Sequence, residues 1–270
     1  MLRKIQRLLF LLATLLSSTL SLSAQECEYD PCEPCVKSWK RNQLFIGPEV
    51  YYARREREGG THQSGPVIGV RAGYDHIKRY KFYWGGDLLY AWGRLDGKTA
   101  DSTKIKSNFI DFDVEGRFGY TFQQKCGYQF SFTPYFGYGY AQERNNFIKP
   151  SPLLIHSNIF YTYFPVGFLS QMTLSPCWTV GINFKAKFLW DTKNKISHDP
   201  ENDSLKMLVK NEIHYRVELP ATYQYCENVL FSVVPFYEFR KYGNQANYPF
   251  NFLETKWNLY GVTLKLIYCL

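Results

Sequence analysis

The sequence predicts an all-β fold, an antiparallel up-and-down transmembrane β-barrel of ten strands. Three observations predict it. From about residue 43 to residue 270, Phe, Tyr, Trp, Val, Ile and Leu recur on every second position over stretches of roughly ten residues, the length a tilted strand needs to cross a bilayer. The connections between these stretches alternate between short and long. The final stretch keeps its alternation (Tyr260, Val262, Leu264, Leu266, Tyr268, Leu270) to the last residue. Eight or twelve strands are the neighbouring counts the same pattern accommodates.

Taken in order, the chain opens with Arg3, Lys4 and Arg7, an apolar run over residues 8–16 and small residues up to Ala24. This is the pattern of a secretory signal peptide, 1–24, with cleavage after Ala24. Residues 25–42 read as a cysteine-rich periplasmic arm, and 43–270 as the barrel. The strand candidates are 43–53, 65–74, 82–93, 108–121, 128–141, 158–170, 177–191, 209–221, 229–240 and 256–270. The seventh is the clearest. Trp178, Val180, Ile182, Phe184, Ala186, Phe188 and Trp190 form one face, and Thr179, Gly181, Asn183, Lys185, Lys187 and Leu189 form the other. Successive strand side chains point to opposite faces, so a membrane barrel shows the first set to lipid and the second to its lumen. Trp84, Trp92, Trp178 and Trp190 suit the aromatic girdles at the two interfaces. Connections 75–81, 122–127, 171–176 and 222–228 are short. Connections 54–64, 94–107, 142–157, 192–210 and 241–255 are long, polar and charged. A barrel with both termini in the periplasm has short turns there and long loops outside. Arg54 to Gly60 reads as a charged hairpin tip. Pro134, Pro165 and Pro235 are expected to mark bulges or strand ends.

Aromatic residues make up 18% of the chain, yet its mean hydropathy is negative, as alternation requires. The formal charge of +8 is not gathered into a basic run with interleaved aromatics, so no nucleic-acid partner is expected. The face opposite the aromatics carries Glu49, Arg71, Asp87, Asp111, Asp113, Glu115, Arg117, Lys185, Lys187, Lys210, Glu212, His214, Arg216, Glu218, Glu238, Arg240 and Lys265. Acids and bases balance. Charges in a narrow lumen carry a desolvation cost unless paired, which predicts a network of ion pairs across the barrel. A ten-stranded barrel so filled conducts little, because aqueous channels belong to the 16–18-stranded class. The alternative is a narrow, charge-lined pore.

Seven cysteines are placed on one side. Cys27, Cys32 and Cys35 precede the first strand, Cys126, Cys177 and Cys226 fall at short turns, and Cys269 is next to last. All fall on the periplasmic side, where disulfides form. An odd number leaves at least one thiol free or paired with another chain. Cys32-Glu-Pro-Cys35 lacks the second pair a zinc site needs, and the His residues are scattered. No metal or cofactor is expected. The 199–203 stretch lacks calcium-loop spacing and reads as solvated.

The C-terminal alternation resembles the signature of Gram-negative outer-membrane β-barrel proteins of the ten-stranded class. That resemblance implies outer-membrane lipid and the barrel-insertion machinery as partners, the latter through the last strand. The family usually ends in an aromatic residue, where this chain has Leu270. The cysteine placement resembles the disulfide-linked envelope proteins of chlamydia-type bacteria, which implies cross-linked envelope partners. Asp111 and Asp113 near the outer end of the fourth strand, with Glu212 and His214 near that of the eighth, are similar to the acid pair and carboxylate–His pair of the omptin surface proteases. That resemblance implies peptide hydrolysis through an activated water, with Glu212 standing where the family has Asp. The expected function is a non-enzymatic envelope protein, structural or adhesive. A narrow porin-like solute channel and an omptin-like protease are the second and third readings.

Overall fold

In the computed structural model, which describes residues 42–78, 81–123, 130–175, 177–199, 204–225 and 228–270, alternation has built a single antiparallel sheet. Its strands are β1 (Asn42–Arg57), β2 (Thr61–His76), β3 (Lys81–Lys98), β4 (Lys104–Gln123), β5 (Phe130–Ile148), β6 (His156–Ser175), β7 (Trp178–Ser197), β8 (Ser204–Leu208), β9 (Ile213–Glu218), β10 (Ala221–Gln224), β11 (Val229–Tyr242) and β12 (Thr255–Cys269). The expected signal peptide 1–24, nearly all of the arm 25–42, and Cys27, Cys32, Cys35, Cys126 and Cys226 lie outside the described residues.

Ten staves close the barrel. Each strand from β1 to β7 pairs with the next, and β12 pairs with both β11 and β1. The eighth stave is made of three pieces. β8, β9 and β10 meet β7 in one unbroken register (Lys193↔Leu208, Phe188↔Ile213, Trp178↔Tyr223), while β9 and β10 also pair with β11. The lower break falls at Leu219–Pro220, opposite Pro235. Neither proline has an N–H to give the ladder, and two bonds bridge the gap, from Leu219 N to Pro235 O on the β11 side and from Gly181 N to Pro220 O on the β7 side (2.9 Å each).

The upper break has a different cause. Trp190 and Asp191 both face outward, with Asp191 at φ 50°, and across from them Lys210 and Asn211 also face outward. This two-sided bulge reverses the inside–outside parity of both staves. It leaves Leu189 and Thr192 pointing in, and the Asn211 side chain accepts the Thr192 N–H at 3.1 Å.

The prolines differ from the expectation. Pro134, Pro165 and Pro235 lie within strands, paired with Phe168, Lys187 and Val262. The ladder beside Pro134 passes from Gly119↔Tyr135 to Phe122↔Phe132 with no change of offset. A bulge requires an extra residue, whereas proline only removes a donor. The register shifts of the β6–β7 pair are at Phe160/Thr162 and Thr173/Ser175.

The long connections also differ. Residues 243–254 lie outside the named strands, whereas in the first four connections most of the length continues the strands above the bilayer, and the first hairpin turns at residues 58–60. The alternation persists there, with polar groups replacing aromatics on the outer face. Arg55 is therefore inside the barrel and not on a charged tip. It donates to Gln63 at 2.9 Å and lies over the Trp257 ring.

The two faces assign the environment. Outward residues of β3 run Phe82, Trp84, Leu88, Tyr90 and Trp92, all exposed, and β1, β2 and β12 present Leu44, Ile46, Val50, Tyr52, Ile68, Val70, Tyr260, Leu264 and Leu266. The interior holds Glu49, Arg71, Asp111, Arg216 and Arg240, each at most 4% exposed. Apolar outside and charged inside is the inverse of a soluble barrel. The chain has the architecture of an outer-membrane β-barrel that crosses the bilayer on ten staves. Aromatic contacts such as Tyr138–Phe164–Trp190 above and Trp178–Tyr223 below mark the two girdles.

Candidate functional site: a charged ring across the lumen

At mid-height the inward charges join into a closed circuit. Glu49 on β1 accepts from Arg71 on β2 (2.5 and 3.1 Å), from Arg216 on β9 (3.2 Å) and from Thr263 on β12 (2.7 Å). Arg71 reaches on to Asp87 of β3 at 2.5 Å. Arg117 on β4 stands 3.9 Å from Asp87, 3.5 Å from Asp75 and 3.7 Å from Glu115. Glu115 receives Lys185 from β7 at 2.7 Å and the Tyr163 hydroxyl from β6 at 2.9 Å. Tyr163 also bonds Asp113, and Asp113 takes the ammonium of Lys187. Lys187 lies 3.5 Å from Glu238 on β11, and Glu238 returns to Arg216 at 3.0 Å. The circuit therefore runs Arg216, Glu49, Arg71, Asp87, Arg117, Glu115, Tyr163, Asp113, Lys187, Glu238 and back to Arg216.

A second tier lies above it. Arg240 shares Glu238 (2.8 Å) and binds Asp111 (2.9 Å) and Glu143 (2.6 Å). Tyr51 donates to Asp111 at 3.0 Å, and Tyr242 to Glu143 at 2.6 Å. Higher still the lumen turns apolar. Phe109 and Trp257 meet with ring centroids 4.9 Å apart, among Leu95, Leu259, Met207 and Val209, while Phe252 folds in from the last outer loop. Below the ring a vestibule opens toward the periplasmic turns, about 790 Å³ including the solvent at its mouth, lined by Arg117, Lys185, Lys265, Asp75 and Glu218 among others.

Asp111, Asp113, Glu115, Arg117, Lys185, Lys187, Arg216, Glu238 and Arg240 thus meet in one network. Lys210 and Glu212 do not join it. Lys210 is exposed, and Glu212 sits at the outer rim, 3.9 Å from Lys210 and 3.7 Å from Lys241. Counting by twos from His214 toward the outer end fails at Lys210, which the two-sided bulge turns outward. Asp111 and Asp113 are held by Arg240 and Lys187. His214 is fully buried, its Nε2 is 3.1 Å from the carbonyl of Lys241, and Tyr161 and Tyr242 meet its ring edge-on.

Sequence reasoning missed Glu143, Asp75, Tyr51, Tyr163 and Tyr242. Glu143 was legible by parity, since it continues the inward series Tyr135, Gly137, Gly139, Ala141 of β5. The tyrosines were hidden by equating aromatic with lipid-facing. Their hydroxyls carry them inside, where a phenol bonds a carboxylate. Space for Tyr163 comes from glycine. A Cβ on Gly139 would lie 2.3 Å from the Tyr163 ring. Gly139→Ala is therefore expected to push Tyr163 off both carboxylates and destabilise the barrel by about 1–3 kcal/mol. Urea unfolding in vesicles checks this, and a change within error would mean Tyr163 is not locked.

Cys177 is exposed just before β7, and Cys269 is buried at the end of β12. The described residues contain no group of three or more His, Cys, Asp or Glu side chains disposed to hold a metal ion.

No protein-family model matches the sequence, and no curated protein matches it. Among solved structures the chain is similar to the outer membrane protease OmpT from Escherichia coli, at 12% identity and TM-score 0.48, over 92% of this chain and 100% of that one. It is also similar to the translocator domain of the autotransporter NalP from Neisseria meningitidis, at 9% identity and TM-score 0.47, over 86% and 89%. A third is the transport unit of the autotransporter AIDA-I from Escherichia coli, at 9% identity and TM-score 0.46, over 94% and 97%. These are likenesses between barrels. The membrane assignment rests on the apolar belt and the buried charge of this chain itself.

Proposed function

We propose that this chain is a non-enzymatic envelope protein of the outer membrane, a barrel closed to ions that serves a structural or adhesive role. The closed ion-pair circuit supports this reading most directly. An ion entering from the vestibule meets side chains that already hold one another at 2.5–3.9 Å, and above them a packed aromatic layer. Passage would require parting buried charge pairs, which is strongly unfavourable. The strand extensions above the bilayer then become the displayed part of the molecule. The cysteines' positions in the sequence, before the first strand and at the short connections, support a disulfide link to neighbouring envelope proteins, which non-reducing gels of thiol-blocked cells would show as a ladder.

Planar-bilayer recording tests the closed lumen. Refolded protein, its fold verified by heat-modifiable gel mobility, is expected to give no unitary steps. A stable, ion-selective step would overturn the closed-barrel reading in favour of a narrow solute channel.

A further inference from the structure

We infer that the outer wall formed by β5 to β8, just above the outer aromatic girdle, binds the phosphate groups of outer-leaflet lipids. The inference rests on the outer-membrane reading above. One rung of the sheet carries it. Arg144 on β5 pairs in register with Asn158 on β6, Asn158 with Lys195 on β7, and Lys195 with Lys206 on β8. All four lie on the outward face, and the three bases are exposed. Gln142 completes the patch, its amide 3.0 Å from Asn158 and 3.4 Å from Arg144.

Charge is unbalanced on this wall. Lys195 and Lys206 stand directly opposite each other, and like charges so placed on neighbouring strands repel. Among the described residues no acid lies within ion-pair distance of Arg144, Lys195 or Lys206. Bases at the same level elsewhere are neutralised by the chain itself, Arg54 by Glu56 (2.6 Å), Lys256 by Glu254 (2.7 Å) and Lys241 by Glu254 (3.1 Å). Lys193, one outward position below Lys195, is matched by Asp191. Among the described residues, the patch therefore lacks an anion that its surroundings have.

Depth identifies the anion. Arg144 follows Tyr140 by two outward positions, and Lys195 follows the girdle residue Trp190 by two beyond the bulge. At a rise of about 3.3 Å per residue and the usual tilt, Arg144 stands roughly 10 Å above Tyr140, and the rung climbs by about 3 Å per strand toward Lys206. Long Arg and Lys side chains reach down from there to the headgroup level. An arginine fork, two ammonium groups and interleaved amides are a donor set for phosphate oxygens. A free ion would find no wall on the outer side of the patch. A lipid phosphate is held against it by its own acyl chains on the girdle.

The test uses the refolded full chain in neutral-detergent micelles, titrated with diphosphoryl lipid A, with dephosphorylated lipid A and with inorganic phosphate. Binding is read as a rise in melting temperature. The diphosphoryl lipid is expected to raise it, the dephosphorylated lipid and inorganic phosphate to leave it unchanged. Replacing Arg144, Lys195 and Lys206 together by Gln is expected to weaken the lipid's effect at least about tenfold in concentration. The pair R54Q/K256Q is expected to respond as wild type. A second variant guards against a folding defect. Lys195→Glu places an acid opposite Lys206, and should raise the melting temperature without lipid while weakening the lipid response. Equal responses of wild type and both patch variants would overturn the inference. An equal response to inorganic phosphate would reassign the patch to a free anion. A conducting wild-type barrel would refute the closed-lumen proposal and leave this result standing.

Discussion

Glu238→Ala is expected to destabilise the barrel by about 3–5 kcal/mol, the cost of removing one partner from a buried charge network. Glu238 is the node at which the two tiers meet. It faces Arg216 at 3.0 Å, Arg240 at 2.8 Å and Lys187 at 3.5 Å, and is 1% exposed. Alanine leaves three cations converging on a cavity that is shielded from solvent, so the loss combines desolvated charge with mutual repulsion. Glu238→Gln keeps the shape and one acceptor, and should fall between wild type and Ala. Lys265→Ala is the control, because Lys265 borders the vestibule and contacts the Phe45 ring without an ion pair among the described residues. Urea titrations in lipid vesicles, followed by tryptophan emission with the slope held equal, give the comparison. A Glu238→Ala loss below about 1 kcal/mol would mean that water already solvates the ring, and the closed lumen would lose its main support.

Much of this was legible in the sequence. Alternation located the ten staves, because an apolar outer face and a polar inner face are both forced by the bilayer. The ring residues followed by parity wherever the strands were regular, as with Asp111 through Arg117 on β4. The failures share a physical origin. Parity is a local rule, and the Trp190–Asp191 and Lys210–Asn211 bulge cancels it across two staves at once, which puts Lys210 on the outside. Hydropathy cannot see that a strand continues beyond the membrane, since water replaces lipid on its outer face while its inner face stays packed. Arg55, Glu143, Leu95, Met207 and Phe252 therefore fall in stretches that read as loop. Pairing partners such as Arg240 and Asp111, 129 residues apart, are set by closure of the barrel and leave no local trace.

Two seals in series predict that ion flow appears only when both are broken. The lower seal is the ring, where Arg216 stands between Glu49 and Glu238 with its guanidinium 3.7 Å from the centroid of the Phe236 ring. The upper seal is the aromatic layer, where Trp257 is fully buried against Phe109 and beneath Arg55. Arg216→Ala alone opens the lower constriction and leaves the upper layer packed. Trp257→Ala alone costs about 3–5 kcal/mol as a large-to-small core change, yet leaves the circuit of charges intact. Each single variant should therefore be silent in planar bilayers. The double variant should show steady steps, and these should favour cations, because loss of Arg216 frees Glu49, Glu218 and Glu238 of a shared positive partner. Heat-modifiable mobility establishes that each variant is folded before it is recorded, and Arg216→Gln with Trp257→Leu serves if the alanine pair does not refold. Conductance from Trp257→Ala alone would show that the ring does not seal. Conductance from Arg216→Ala alone would show that the aromatic layer yields once the ring is cut. Silence of a folded double variant would place the barrier elsewhere, in the Arg240, Asp111 and Glu143 tier that neither substitution touches.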